Sequence, residues 1–181
     1  MDNTAHLAHL LNDCRKGNQK AQFALYRQYA QWLYNACVRI TGNAADAEEA
    51  MQDAFIKIFK RIDQYTEGQS FEAWMHRIAT RTAIDYVRKR DPKWEDISEN
   101  YAVPDNEDEP DEDEINYTLN EIKNAMTQLP AGYRIILSLY LFEGYDVDEI
   151  ASILKIKPPS VRSQYLRAKR KLLDIIKKND G

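Results

Sequence analysis

Three arginines, Arg77, Arg81 and Arg88, fall within roughly 40° of one another when their stretch is wound at about 100° per residue. Lys89 and Arg90 extend the charge at the end of that stretch, where cations also suit a helix dipole. A rigid row of guanidinium groups can hold phosphates; a solvated basic face has the same spacing, and spacing does not choose between them. A second basic set lies near the C-terminus. Val147–Leu154, a turn at Lys155-Ile156-Lys157 and a Pro-started helix have helix-turn-helix form, with Ala151 as the small residue where the two helices cross. On the last helix Ser160, Ser163, Gln164, Arg167, Arg170 and Lys171 share one face, opposite an apolar arc of Val161, Tyr165, Ala168, Leu172, Ile175 and Ile176. Arg162 joins Ser163 and Gln164 near its start. Arg and Gln read base edges, and Lys, Arg and Ser hold phosphates, so the ensemble predicts DNA binding.

A third constellation is of another kind. Met51, Phe55, Ile58 and Ile62 form an apolar stripe, and on the opposite side Glu49, Gln52, Asp53 and Lys57 surround Ile56. A single exposed isoleucine is ordinary on a protein surface, and spacing alone favours that reading. The alternative is an anchor with a polar rim, the anatomy of a protein-binding patch. Between this stretch and the arginine row lies a polar loop, Asp63–Ser70, with Gly68 as a hinge and Tyr65 as a ring able to stack on an unpaired base. No nucleophile–base pairing, Gly-rich phosphate loop or zinc motif occurs, so neither a catalytic site nor a cofactor is expected. His6, His9 and Cys14 sit close together on one helix, but without a second ligand cluster they predict no metal site.

These residues must be carried by helices. Gly17 and Gly42 are stop signals, and Asn18, Asn43 and Ser70 are caps, which predicts helices over 5–16, 18–41, 44–62 and 71–90. Later patterns predict helices over 116–129, 131–142, 147–154 and 158–177. Six Gly and six Pro in 181 residues are too few for a turn-rich all-β chain. No apolar run approaches the ~18 residues of a membrane span, and two cysteines, Cys14 and Cys37, make no disulfide scaffold. A cytoplasmic protein with no membrane insertion is expected.

The net charge of −4 averages unlike parts. Residues 91–114 hold twelve acidic side chains against Lys93 alone, whereas residues 155–181 hold nine basic against two acidic. The acidic stretch, with Pro92, Pro104 and Pro110, repels itself and cannot bury enough surface to fold. It reads as a flexible linker over 91–115 between two small all-α domains, 1–90 and 116–181. Tethered between two basic surfaces, it either competes with DNA for them or serves as a spacer.

The motifs together resemble the extracytoplasmic-function (ECF) class of bacterial RNA polymerase sigma factors, the type with only the second and fourth conserved regions. Asp46-Ala-Glu-Glu-Ala-Met-Gln52-Asp53-Ala-Phe55 is similar to that family's core-polymerase-binding helix. Phe71-Glu-Ala-Trp74-Met-His-Arg77-Ile-Ala79, followed by Asp85-Tyr-Val-Arg88, is similar to its promoter-melting, minus-ten-reading helix. Leu129-Pro130-Ala-Gly-Tyr-Arg134 and the stretch from Asp148 to Ala168 are similar to its minus-thirty-five helix-turn-helix. Three departures bear on which promoter is read: Thr80-Arg81 where Arg-Asn is common, Lys155 where Gly is usual, and Arg162-Ser163-Gln164-Tyr165 where Lys-Ser-Arg-Leu is common.

The resemblance implies a region 2-like four-helix domain and a region 4-like domain, and a role for each constellation. Asp46, Glu49, Gln52, Asp53 and Ile56 would dock on core RNA polymerase. Tyr65, Gly68, Gln69 and Ser70 would capture a flipped base of the minus-ten element, with Arg77, Thr80, Arg81 and Arg88 along the strand. Ser160, Arg162, Ser163, Gln164, Arg167, Arg170 and Lys171 would bind the minus-thirty-five element. The implied partners are core polymerase, promoter DNA and an anti-sigma factor, and the protein would be no enzyme. The competing expectation is a helix-turn-helix regulator that never joins polymerase.

Overall fold

The computed structural model describes residues 2–66, 68–91 and 117–179, and all of the expected acidic linker but residue 91 lies outside them. Among the described residues the chain folds into eight α-helices, as an all-α fold requires. Contacts gather them into two compact units, residues 1–38 with 44–86 and residues 39–43 with 87–181. The corner after the second helix groups with the second unit. No helix among the described residues is long and apolar enough to cross a membrane.

The first unit holds α1 (Asp2–Arg15), most of α2 (Gln19–Thr41), α3 (Ala44–Arg61), a 3-10 turn (Ile62–Gln64) and most of α4 (Phe71–Arg90). Asn18 caps α2 as expected: its Oδ1 accepts from the backbone N–H of Lys20 at 3.0 Å and of Ala21 at 3.2 Å. Leu25, Leu33, Ala36 and Cys37 of α2 are fully buried, as are Ala47, Ala50, Ala54 and Ile58 of α3. The alanine row lets α3 approach its neighbours closely, while each buried leucine or isoleucine contributes ~1.5–3 kcal/mol. On α4 the buried arc is wider than one face of a helix. Phe71, Met75, Ala79 and Thr82 are buried, but so are His76, Thr80, Ala83, Ile84 and Val87. The reason is that α4 packs against two helices. Tyr29 and Trp32 of α2 meet Phe71 and His76, and on the α3 side the Lys57 ammonium donates to Thr82 Oγ1 at 3.1 Å.

The second unit contains α5 (Leu119–Gln128), α6 (Ala131–Leu137), a π-helical turn (Ser138–Phe142), α7 (Val147–Leu154) and α8 (Pro158–Asn179). Its core joins Ala125, Met126 and Leu129 to Leu137, Ala168, Leu172 and Ile176. Thr118 and Asp146 build reciprocal capping boxes with Glu121 and Glu149, which fix the starts of α5 and α7. Where one helix over 131–142 is expected, the chain leaves α-geometry after Leu137, and the Glu143 N–H bonds five residues back to Ser138 O at 3.1 Å. Five successive residues, Ile135 to Leu139, are buried there, more than one face of a regular helix holds. The wider π turn accommodates them and leaves Tyr140 and Leu141 exposed.

The helix-turn-helix corner is closed by Lys155, whose φ of 58° and ψ of 41° are left-handed. Glycine enters this region freely, and any other residue is strained there by about 1 kcal/mol. Lys155→Gly is therefore expected to stabilise the protein by roughly 0.5–1 kcal/mol, seen as a melting temperature raised by a few degrees. An unchanged or lower melting temperature would refute that strain.

Candidate nucleic-acid interface

The loop between α3 and α4 is pinned at both ends. Tyr65 donates its hydroxyl to the Gln69 carbonyl at 2.6 Å, and its ring packs on Phe71 and Trp74 at centroid distances of 5.1 and 5.7 Å. The Tyr65 carbonyl accepts from Arg15 Nη2 at 3.1 Å. At the far end Ser70 Oγ accepts from the Ala73 N–H at 3.2 Å, capping α4, and donates to Glu72 Oε2 at 3.1 Å. The other carboxylate oxygen of Glu72 accepts from the Tyr29 hydroxyl at 2.9 Å. Between these anchors Thr66, Gly68, Gln69 and Ser70 remain exposed, with Gly68 at φ 109°. Tyr65 itself is half-buried, so its ring holds the loop as well as facing it. The signal for Tyr65 lay in its position, whereas nothing in the sequence marked Arg15, Tyr29 or Glu72 as the groups that hold it.

This network titrates. Hydrogen bonds from its own backbone N–H, then from Tyr29 and Ser70, hold the Glu72 carboxyl below its ordinary 4.5 against the opposing effect of partial burial. Burial first, and then the bond to Glu72, push Tyr29 up to about 12. A lowered carboxyl stabilises the fold above its unfolded value and loses that contribution as pH falls through the folded one. A raised phenol contributes below pH 10 and loses it as pH rises toward about 12. Tyr29→Phe should therefore cost about 1 kcal/mol at neutral pH and flatten both limbs of a stability–pH curve. Unfolding midpoints that shift equally at every pH would contradict the coupling.

On α4, which this loop leads into, Arg77 and Arg81 are exposed on the same face, one turn apart. Two residues predicted to join them do not. Thr80 is 1% exposed, its Oγ1 enclosed, because α4 packs on two sides and residue 80 falls in the widened arc. Arg88 is half-buried, and its Nη2 donates to the Leu154 carbonyl at 2.9 Å within the second unit. The exposed arginine row is thus Arg77 and Arg81, with Lys89 and Arg90 exposed at the helix end.

On α8 the apolar arc keeps Val161, Ala168, Leu172 and Ile176, and two adjacent positions within it change places. Gln164, expected to point outward, is 5% exposed and lies in the buried set with Val161, Ala168, Leu172 and Ile176. Tyr165, expected in the core, is half-buried and packs on Tyr140 at 4.6 Å between centroids. The tyrosine needs room for its ring and polar tip, and the slimmer amide takes the inward position. Arg162 and Lys171 are exposed; Ser160, Ser163, Arg167 and Arg170 are half-buried, with Ser163 Oγ bonded back to the Pro159 carbonyl at 3.1 Å. Arg162 also stands at the rim of an apolar groove of about 270 Å³ lined by Tyr140, Val147, Tyr165 and Leu166.

The α3 patch has the predicted form. Ile56 is 51% exposed, and Glu49, Gln52 and Asp53 are exposed around it, with Asp46 half-buried one turn before them. Glu49 also accepts from the Tyr86 hydroxyl at 2.9 Å, tying the patch to α4. On α2, Phe23, which no sequence signal singles out, is 61% exposed with the Arg27 guanidinium 6.0 Å from its ring centroid. On α1, His9 lies 3.4 Å from the Asp13 carboxylate, and among the described residues no group of three or more His, Cys, Asp and Glu gathers.

Comparison with known proteins gives these faces a context. The family model for sigma-70 region 2 matches residues 25–93, and that for sigma-70 region 4 matches residues 119–172. The ECF RNA polymerase sigma factor SigE of Mycolicibacterium smegmatis is 34% identical over 160 residues, which make up 87% of this chain and 62% of that protein. The chain thus spans less than two thirds of SigE. The ECF sigma factor SigW of Bacillus subtilis is 27% identical over 172 residues, with 90% of this chain and 92% of SigW covered. Among solved structures, the sigma factor RpoE of Bartonella quintana, bound to the anti-sigma factor NepR, has a similar fold. Its TM-score is 0.57 at 21% identity, over 85% of this chain and 95% of that one.

Proposed function

This chain belongs to the ECF sigma factors of RNA polymerase, and from that premise we propose that it joins core polymerase and directs it to a particular set of promoters. It performs no covalent chemistry of its own. The α3 patch around Ile56 docks on the polymerase. The 65–70 loop takes up an unpaired minus-ten base, and Arg77 and Arg81 hold the strand beside it. Arg162 and its neighbours at the start of α8 enter the minus-thirty-five major groove. Unstacking costs a few kcal/mol per base, offset by stacking and phosphate contacts. An anti-sigma factor, such as the one bound to the Bartonella protein, would withhold the chain from polymerase in the cytoplasm.

The observation that carries this reading is the pairing of two regions in family order, each carrying exposed basic residues, Arg77 and Arg81 in the first and Arg162 and Lys171 in the second. Run-off transcription tests it. Core polymerase supplemented with this protein should start transcripts at discrete sites on genomic fragments, and core alone should not. Sequence-specific DNA binding without association with core would instead identify a helix-turn-helix regulator.

A further inference from the structure

The helix α1 precedes the first residue matched by the region 2 family model, residue 25. It is nonetheless firmly placed. Leu11 and Cys14 are 4% and 2% exposed, so α1 docks on the first unit through an apolar face. Its end is closed by bonds from the Gly17 N–H to Cys14 O at 3.0 Å and from the Asn18 N–H to Asp13 O at 3.1 Å, with Gly17 at φ 75°. Asn18 then caps α2 at once. A corner terminated and restarted within two residues has little freedom, and Arg15 sits in its last helical turn.

From that fixed position the Arg15 guanidinium reaches across 50 residues of sequence to the Tyr65 carbonyl. Tyr65 passes the restraint on through its hydroxyl to Gln69 O and through its ring to Phe71 and Trp74. Thr66, Gly68, Gln69 and Ser70 are thereby suspended between an Arg15–Tyr65 anchor and the Ser70–Glu72–Tyr29 anchor. We infer that Arg15 is a positioning residue for base capture, so that α1 is part of the minus-ten reading apparatus through the backbone of Tyr65. The inference rests on the reading of the 65–70 loop as the base-capturing element. A loop already held in its binding conformation loses little freedom when a base arrives, and it discriminates between bases because its groups cannot rearrange to fit the wrong one.

The test uses holoenzyme reconstituted from core polymerase and the full chain. The probes are four fork-junction DNAs from a promoter that the wild-type holoenzyme transcribes, differing only in the unpaired minus-ten base. Arg15→Met keeps the apolar stem and removes the donor. It should weaken binding of the preferred fork about tenfold and compress the ratio between the best and worst bases, while duplex minus-thirty-five binding and core association stay as in wild type. Arg15→Lys, which restores a cationic donor, should recover part of the ratio. Equal weakening on all four forks, with the ratio kept, would mean that Arg15 only stabilises the fold and would overturn the inference. So would unchanged affinity. If the wild-type holoenzyme does not distinguish the four bases, the loop reading itself falls and the inference falls with it; a discriminating wild type beside an equally discriminating Arg15→Met removes the inference alone.

Discussion

Ile56→Glu should lose core-polymerase binding by at least about 30-fold, the ~2 kcal/mol or more of an interface anchor, while its melting temperature stays close to wild type. The two effects separate because Ile56 is half exposed and contributes little to the core, whose large α3 members are Met51, Phe55 and Ile58. A surface exchange of this kind changes stability by ~0.5 kcal/mol or less. At an interface the same carboxylate would be desolvated without a partner, and its neighbours Glu49 and Asp53 add like charge. Asp53→Arg, which inverts the rim, should have a similar effect on binding. Glu49 is a poorer choice, since its bond to Tyr86 couples any change there to α3–α4 packing. Affinity for core by equilibrium titration, with thermal unfolding of each free variant, decides the matter. Wild-type affinity in either variant would remove the patch from the polymerase interface.

The second large effect divides the residues of α8. Arg162→Ala should cost ~1–3 kcal/mol on the preferred minus-thirty-five duplex and relax the preference at one base position. Lys171→Ala should weaken all duplexes alike and lower the slope of log affinity against log salt by about 1. Gln164→Ala should do neither. Its amide is buried, so the substitution lowers the melting temperature and leaves the order of preferred duplexes unchanged. Binding measured on singly substituted duplexes at several salt concentrations separates the three. A loss of preference from Gln164→Ala at unchanged stability would return that residue to the reading face.

The ends of α1 and α2 and the starts of α2 and α4 were legible because local signals set them: Gly17 and Gly42 stop helices, and Asn18 and Ser70 cap them wherever the rest of the chain lies, whereas α1 begins at Asp2 and not at the expected residue 5. The helix-turn-helix was legible for the same reason, through Pro158, Ala151 and the basic face that follows. What escaped depends on neighbours far away in sequence. Thr80 is buried because α4 is flanked by both α2 and α3, and one helix's periodicity cannot report two neighbours. Gln164 and Tyr165 exchange roles because ring and amide differ in bulk, which a 100° wheel does not weigh. The anchors of the 65–70 loop come from Arg15 and Tyr29, 50 and 43 residues from the groups they hold.

The π turn at Ser138–Phe142 has a consequence for how this lineage tolerates changes in length. A turn closed by a bond five residues back contains one residue more than a regular helical turn. Loss of one residue there would let the segment relax into an unbroken α-helix, with the residues beyond still able to reach the cap at Asp146. Gain of one residue in a regular helix would be absorbed in the same way. The segment is therefore a place where insertion or deletion of a single residue is cheap. Relatives with an uninterrupted helix at this point should align with a gap of one residue between Leu137 and Glu143, and with none inside α7 or the first turns of α8, where the Asp146 capping box and the buried Ile150, Ala151 and Val161 fix the register.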